Sequence, residues 1–289
     1  MTIDRRSFLA AGLAAGAAPA AAAGLAHAAD EQPVPSTSKE PYRHSVCRWC
    51  YGMPLEELCV LAKSLGIASV ELLGESEWAT VEKHGLACAV ANGPTSIGDG
   101  LNRVANHDRI LRDSERLLPL VAKAGIPQMI VFSGNRAGMS DAEGLEHCAT
   151  GLRKLVPIAE AHRVTIIMEL LNSKVDHRDY MCDRTAWGVE LCRAVASDRF
   201  KLLYDIYHMQ IMEGDVIRTL RDAAPFIGHY HTGGNPGRNE IDASQELGYP
   251  AIVRAIAATG FSGYIGQEFL PTRDPATSLR EAIRICSIT

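Results

Sequence analysis

The stretch KLLYDIYHMQIMEG, residues 201–214, decides the fold. With Phe200 ahead of it, it runs apolar to Tyr204 and then breaks into polar groups at Asp205, Tyr207, His208 and Gln210. Gly214 and a helical pattern follow. Apolar residues running into a carboxylate and an imidazole describe a strand–helix unit with chemistry at the strand's C-terminal end. Asp205 admits two readings at this point: an N-cap of the next helix, or a functional group at the mouth of a barrel. The ends of the other strands decide between them.

Working outward, short apolar runs occur at 44–47, 67–73, 86–91, 128–132, 164–169, 200–204, 226–231 and 264–268. Amphipathic segments alternate with them at 55–65, 75–84, 108–124, 141–162, 184–196, 215–224, 249–259 and 275–287. Gly66, Gly85, Gly125 and Gly260 each stand between a helical segment and the next strand, where a left-handed residue ends a helix. Strands rich in Val, Ile and Leu that alternate with helices predict a parallel sheet. Eight such units in about 250 residues predict an α/β fold, a single-domain (β/α)8 TIM barrel spanning 44–289. A doubly wound sheet would carry a glycine-rich phosphate loop after its first strand, and Cys47–Met53 holds only Gly52.

In a barrel the strand ends share one rim. The fifth strand ends in Glu169, with Asn172 close behind; the sixth ends in Asp205 and His208, the seventh in His229-Tyr230-His231, the eighth in Gln267-Glu268. Adjacent strands lie ~4.8 Å apart, so Glu169, Asp205, His231 and Glu268 reach a common point. Three carboxylates and an imidazole are costly to crowd together unless a cation neutralises them. Oxygen-rich donors with one nitrogen suit Mn²⁺ or Mg²⁺, with Co²⁺ a further candidate. His229 shares a face with His231 but lies deeper, which predicts a hydrogen-bonded interior group. Arg238, in the loop GGNPGR after the seventh strand, offers a rigid fork for an anionic or polyhydroxyl substrate. Glu71, at the end of the second strand, either caps the site from across the barrel or faces solvent. Trp49, Tyr51 and Trp78 are candidates for a substrate-facing wall or for the core.

The remaining sequence limits the function classes. A net charge of −5 with both signs dispersed gives no footprint for nucleic acid. Residues 1–28 carry Arg5-Arg6 before Phe8-Leu9, an Ala/Gly-rich apolar run and Ala26-His27-Ala28, which predicts a cleaved twin-arginine signal peptide. That implies passage through the twin-arginine translocase, a periplasmic or exported protein, and no stable membrane span after cleavage. Cleavage removes Asp4, Arg5 and Arg6, a net +1, and leaves −6. Residues 29–43, polar and Pro/Ser-rich, read as a flexible tether. Most of the eight cysteines sit within apolar patterns as small hydrophobes. Cys47 and Cys50 form a lone CxxC, a weak redox or zinc signal.

The segments ELLN (169–172), DIYHMQIMEG (205–214), NPGR (235–238) and QEF (267–269) together resemble the xylose isomerase-like TIM barrels. Within these the similarity is greatest to the hydroxypyruvate isomerase family, with the D-tagatose/D-psicose 3-epimerases as relatives. The resemblance runs from about Ser45 to the C-terminus. It implies a divalent metal on Glu169, Asp205, His231 and Glu268, proton transfer by Glu169 and Glu268, and substrate contacts from His208, Arg238 and Asn172. It also implies isomerisation of a hydroxypyruvate-like keto acid or a sugar through a metal-bound enediolate. Two positions depart from the isomerase pattern: His231 stands where those enzymes usually carry Gln and the epimerases carry His, and the loop Thr232-Gly233-Gly234 differs. Alternatives are a ketose 3-epimerase or dehydratase of the same barrel, and a non-catalytic periplasmic metal- or sugar-binding protein. A nuclease on this barrel would need more His and Asp ligands and a basic groove. Oligomeric state stays open, a homo-oligomer included.

Overall fold

The computed structural model describes residues 41–288. The signal peptide and nearly all of the tether lie outside the described residues. Pro41, Tyr42 and Arg43 are the exception: Tyr42 is buried and donates its hydroxyl to the Cys286 carbonyl at 2.7 Å, and Arg43 already begins the first strand. The tether therefore ends earlier than expected.

Eight strands follow in order: β1 (Arg43–Cys47), β2 (Ser69–Glu71), β3 (Val90–Asn92), β4 (Gln128–Val131), β5 (Thr165–Glu169), β6 (Phe200–Asp205), β7 (Ile227–Thr232) and β8 (Tyr264–Gln267). All pair in parallel, in the order β2-β1-β8-β7-β6-β5-β4-β3. The two ends of that series meet, with Val70 N–H donating to Ala87 O at 3.1 Å and Leu72 N–H to Val90 O at 2.9 Å. β2 and β3 are shorter than the apolar runs at 67–73 and 86–91, because they join each other only through isolated bridges such as Ser69–Ala87 and Leu73–Ala91.

The helices are α1 (Leu55–Ser64), α2 (Trp78–Lys83), α3 (His107–Lys123), α4 (Asp141–His162), α5 (Thr185–Val195), α6 (Ile206–Met212), α7 (Val216–Asp222), α8 (Tyr249–Ala258) and α9 (Pro275–Ile285). Gly66, Gly85, Gly125 and Gly260 take φ of 73°, 66°, 69° and 81°, the left-handed terminators their positions predicted. α6 is a correction: nine helices, not eight, occupy the described residues. Asp205 starts α6 by accepting the His208 N–H on Oδ1 at 3.0 Å, and Gly214, at φ 65°, follows its end.

Alternation along the strands sorts the side chains into two cores. Ile166 and Met168 on β5, Leu202 and Tyr204 on β6, and Tyr230 on β7 pack outward against the helices. Ile167, Leu203, Ile130 and Tyr264 form a separate inner cluster. Glu169, two residues beyond Ile167, and Asp205, two beyond Leu203, thus fall on the inner face at the C-terminal end. On β7 the pairing with β6 skips Gly228, from Leu202–Ile227 to Leu203–His229, a bulge that sets His229 and His231 on that same inner face. The rim is built by period two.

Candidate active site

Glu169, Asp205, His231 and Glu268 each bring a ligand atom within 4.8 Å of the others, and all four are buried. Asp205 and His231 are register partners on adjacent strands. His231 Nδ1 lies 3.1 Å from Glu169 Oε1 and 2.9 Å from Glu268 Oε2. Asp205 divides its oxygens: Oδ1 caps α6, and Oδ2 takes the Arg238 guanidinium at 3.1 Å. The same carboxylate therefore caps α6 and stands in the four-residue cluster. Arg238 also reaches Glu268 Oε2, so one guanidinium charge serves two of the three carboxylates.

Electrostatics follow from this crowding. Burial, with the neighbouring Glu268 charge, raises the Glu169 pKa, and burial lifts that of Asp205 well above its usual value. Glu268 is also buried, but Arg238 and His231 outweigh this and hold it well below the carboxylate range. Burial opposes a charge on His231; the acidic groups around it, Glu268 among them, prevail and raise its pKa well above that of ordinary imidazole. Three carboxylates and a nitrogen at this spacing are the donor set of a hard divalent cation, so the residues present fit the group that the sequence implied.

Second contacts orient these groups. His208 is fully buried; its Nδ1 accepts from Asn172 Nδ2 at 2.6 Å, while Nε2 makes no hydrogen bond. Burial, then Arg238, holds its pKa well below the usual imidazole value. With Nδ1 accepting from Asn172, the ring proton belongs on Nε2, which faces Asp205 Oδ2 at 3.7 Å. Asn172 spends its other amide hydrogen on Asp176 Oδ2 at 2.7 Å and accepts from the Val175 and Asp176 N–H groups. Both amide hydrogens and the amide oxygen of Asn172 are engaged, so it orients His208.

Arg238 adopts a left-handed φ of 58°, which costs a non-glycine residue about 1–2 kcal/mol. Its loop is held by Tyr249, whose hydroxyl accepts from Gly233 N at 2.8 Å and donates to Gly233 O at 2.7 Å. Tyr249→Phe strands both buried backbone groups. It is expected to cost about 1–3 kcal/mol, read by thermal unfolding, and to loosen the Arg238 loop.

Above the cluster opens a cavity of about 380 Å³. Leu72, Ile97, Ile130, Phe132 and Leu171 make its apolar wall; Glu169, Glu268, Arg238, Trp49 and His177 line the rest with Asn92. Trp49, 49% exposed, donates its indole N–H to Glu268 Oε1 at 2.7 Å and stacks beside Arg238, 5.1 Å from ring centre to guanidinium. Of the three early aromatics it alone lines the cavity. Tyr51 is buried against Phe269, and Trp78 is buried with its N–H on the Leu73 carbonyl at 3.3 Å; both are core. Glu71 is wholly buried and points inward, 2.9 Å from His229 and 2.8 Å from His231, which removes the solvent-facing reading. All eight cysteines are buried, and Cys47 and Cys50 are not joined by a disulfide. His177 was not foreseen; its only signal was the one imidazole on the loop after β5.

Residues 59–287 match the family model described as the xylose isomerase-like TIM barrel. A 2-oxo-tetronate isomerase of Cupriavidus necator is 34% identical over 143 residues, 48% of this chain and 54% of that protein, so the match spans about half of that relative's length. The hydroxypyruvate isomerase of Escherichia coli is 27% identical over 231 residues, 80% of this chain and 83% of that one. A solved structure described as an AP endonuclease, family 2, from Brucella melitensis superposes with TM-score 0.73 at 20% identity, covering 82% and 96% of the two chains. At that identity the likeness is one of fold. The closed ring of eight parallel strands and the match over residues 59–287 place this chain in the xylose isomerase-like TIM barrel family.

Proposed function

We propose that this protein is a divalent-metal-dependent isomerase acting on a small 2-oxo acid that carries a neighbouring hydroxyl, the hydroxypyruvate type. The observation that carries this reading is the buried cluster of Glu169, Asp205, His231 and Glu268 beneath a cavity of small-molecule size. The isomerase names of the two curated relatives support it.

A divalent cation on those four side chains, Mn²⁺ or Mg²⁺ by its donors, supplies Lewis acidity that lowers the cost of enediolate charge. The chain's own groups do the rest. Glu169 and Glu268 both stand within 3.1 Å of His231 Nδ1 and line the cavity, so one removes the carbon-bound proton and the pair delivers it to the adjacent carbon. His208 Nε2–H donates to a substrate oxygen. Arg238 leaves its carboxylate partners in part to meet the substrate carboxylate. Trp49 and the apolar wall keep water from the reacting carbons.

A second reading, ketose 3-epimerisation, is favoured by His231, the residue type the epimerases carry there. Both readings use one proton abstraction and differ in where the proton returns. Proton NMR in D₂O with the Mg²⁺-loaded protein and a panel of 2-oxo acids and ketoses separates them. Deuterium at the original carbonyl carbon, with the carbonyl moved to its neighbour, is the expected result. An inverted centre with the carbonyl unmoved assigns the epimerase, and no exchange with any compound removes both.

A further inference from the structure

One buried carboxylate has no part in the proton transfer just described. Glu71, at the end of β2, lies across the barrel from Asp205 and is fully buried. Its Oε1 stands 2.8 Å from His231 Nε2, the ring nitrogen opposite the one that faces Glu169 and Glu268. The same oxygen is 2.9 Å from His229 Nε2 and 3.6 Å from Cys47 Sγ. Oε2 has no partner, so the carboxylate's interactions all converge on Oε1. His229, Cys47 and Glu71 lean together on the far side of the His231 ring.

The backbone makes room for this contact. A Cβ on Gly266 would fall 2.4 Å from Glu71 Oε1 and 2.8 Å from His231 Cδ2. Gly266 is the register partner of His231 on β8, so a side chain there would drive the carboxylate and the imidazole apart. Three strands therefore converge on one interaction: β2 gives the carboxylate, β7 the ring, and β8 the gap.

An imidazole binds a cation through one nitrogen only if the proton sits on the other, and a carboxylate on that other nitrogen fixes both the proton and the ring plane. We propose that Glu71 is a positioning residue that holds the proton of His231 on Nε2 and so presents Nδ1 to the cation, with His229 and Cys47 holding Glu71 in place. This rests on the metal-dependent reading above. A merely structural Glu71 would tie β2 to β7 and leave cation affinity and tautomer unchanged.

The test uses the metal-stripped wild-type chain and Glu71→Gln, which keeps the shape and removes the charge. Titration calorimetry with Mn²⁺ is expected to give one ion per wild-type chain and a roughly 10- to 100-fold weaker affinity in Glu71→Gln. In ¹⁵N-histidine-labelled wild-type protein loaded with Zn²⁺, a diamagnetic probe, His231 is expected to carry its proton on Nε2. Its signal is identified by its loss in His231→Gln. Equal Mn²⁺ affinity in wild type and Glu71→Gln overturns the positioning role and leaves the metal reading standing. A proton on Nδ1 of wild-type His231 also overturns it, and that measurement decides even if Glu71→Gln does not fold. Wild-type protein that takes up neither ion overturns the metal reading and the positioning role with it.

Discussion

Glu169→Gln and Glu268→Gln should each abolish exchange of the substrate's carbon-bound proton with solvent while the protein stays folded and retains its cation. Glutamine keeps the carbonyl oxygen and nearly the same volume, so it still offers an oxygen donor, but it cannot accept and return a proton. Positioned acid–base groups contribute about 10²- to 10⁴-fold to a rate, and turnover is expected to fall by that order in each variant. The two are not equivalent. Glu268 also receives the Trp49 indole and the Arg238 guanidinium, so Glu268→Gln should in addition weaken substrate binding, seen as a higher KM. Glu169 makes neither contact, and its variant should act on kcat alone. Exchange rates by NMR in D₂O and metal content of the purified variants check this. Full exchange in either variant would remove that residue from the proton path.

Metal removal is the second large effect. Chelation should bring turnover to background, and Mn²⁺ or Mg²⁺ should restore it. Stability should move with it, because a ligand that binds only the folded state adds RT ln(1 + [L]/Kd), about 4 kcal/mol when the ion is 1,000-fold above its Kd. For a chain of this size that is a Tm rise of roughly 10 °C, and differential scanning calorimetry with and without Mn²⁺ reads it. The physical source is the repulsion among Glu169, Asp205 and Glu268, which Arg238 and His231 relieve only in part. Asp205→Asn lowers that repulsion, so it should shrink the metal-dependent rise in Tm and leave the metal-free protein no less stable.

Much of the barrel was legible because strands buried on both faces leave a strong mark. β5 to β8 each end an apolar run in a carboxylate, imidazole or amide, and their shared place at the strand ends brought Glu169, Asp205 and His231 together; the bulge at Gly228 that turns His231 inward left no mark in the sequence. α6 was missed because Asp205 was read as a rim group in preference to a cap, whereas a carboxylate has two oxygens and this one uses both. The aromatics after β1 were undecidable for another reason. A short 3-10 turn at Arg48–Cys50 swings Trp49 outward over Glu268 and turns Cys50 and Tyr51 into the core, and no periodicity spans three residues. Glu71 stayed ambiguous because β2 is only three residues long, too short for a pattern to show which way its last side chain points. For Asn172 the sequence suggested a substrate contact; the hydrogen bonds to Asp176, Val175 and His208 add that its amide braces the His208 ring.

The reading as a whole depends on four strand ends gathering one cation. Crystals grown with Mn²⁺ and measured above the manganese absorption edge test it most directly. One anomalous peak per chain is expected, bonded to Glu169, Asp205 and Glu268 through oxygen and to His231 through Nδ1, with Glu71 on Nε2. No peak among these four side chains, or a peak elsewhere in the chain, would contradict the account.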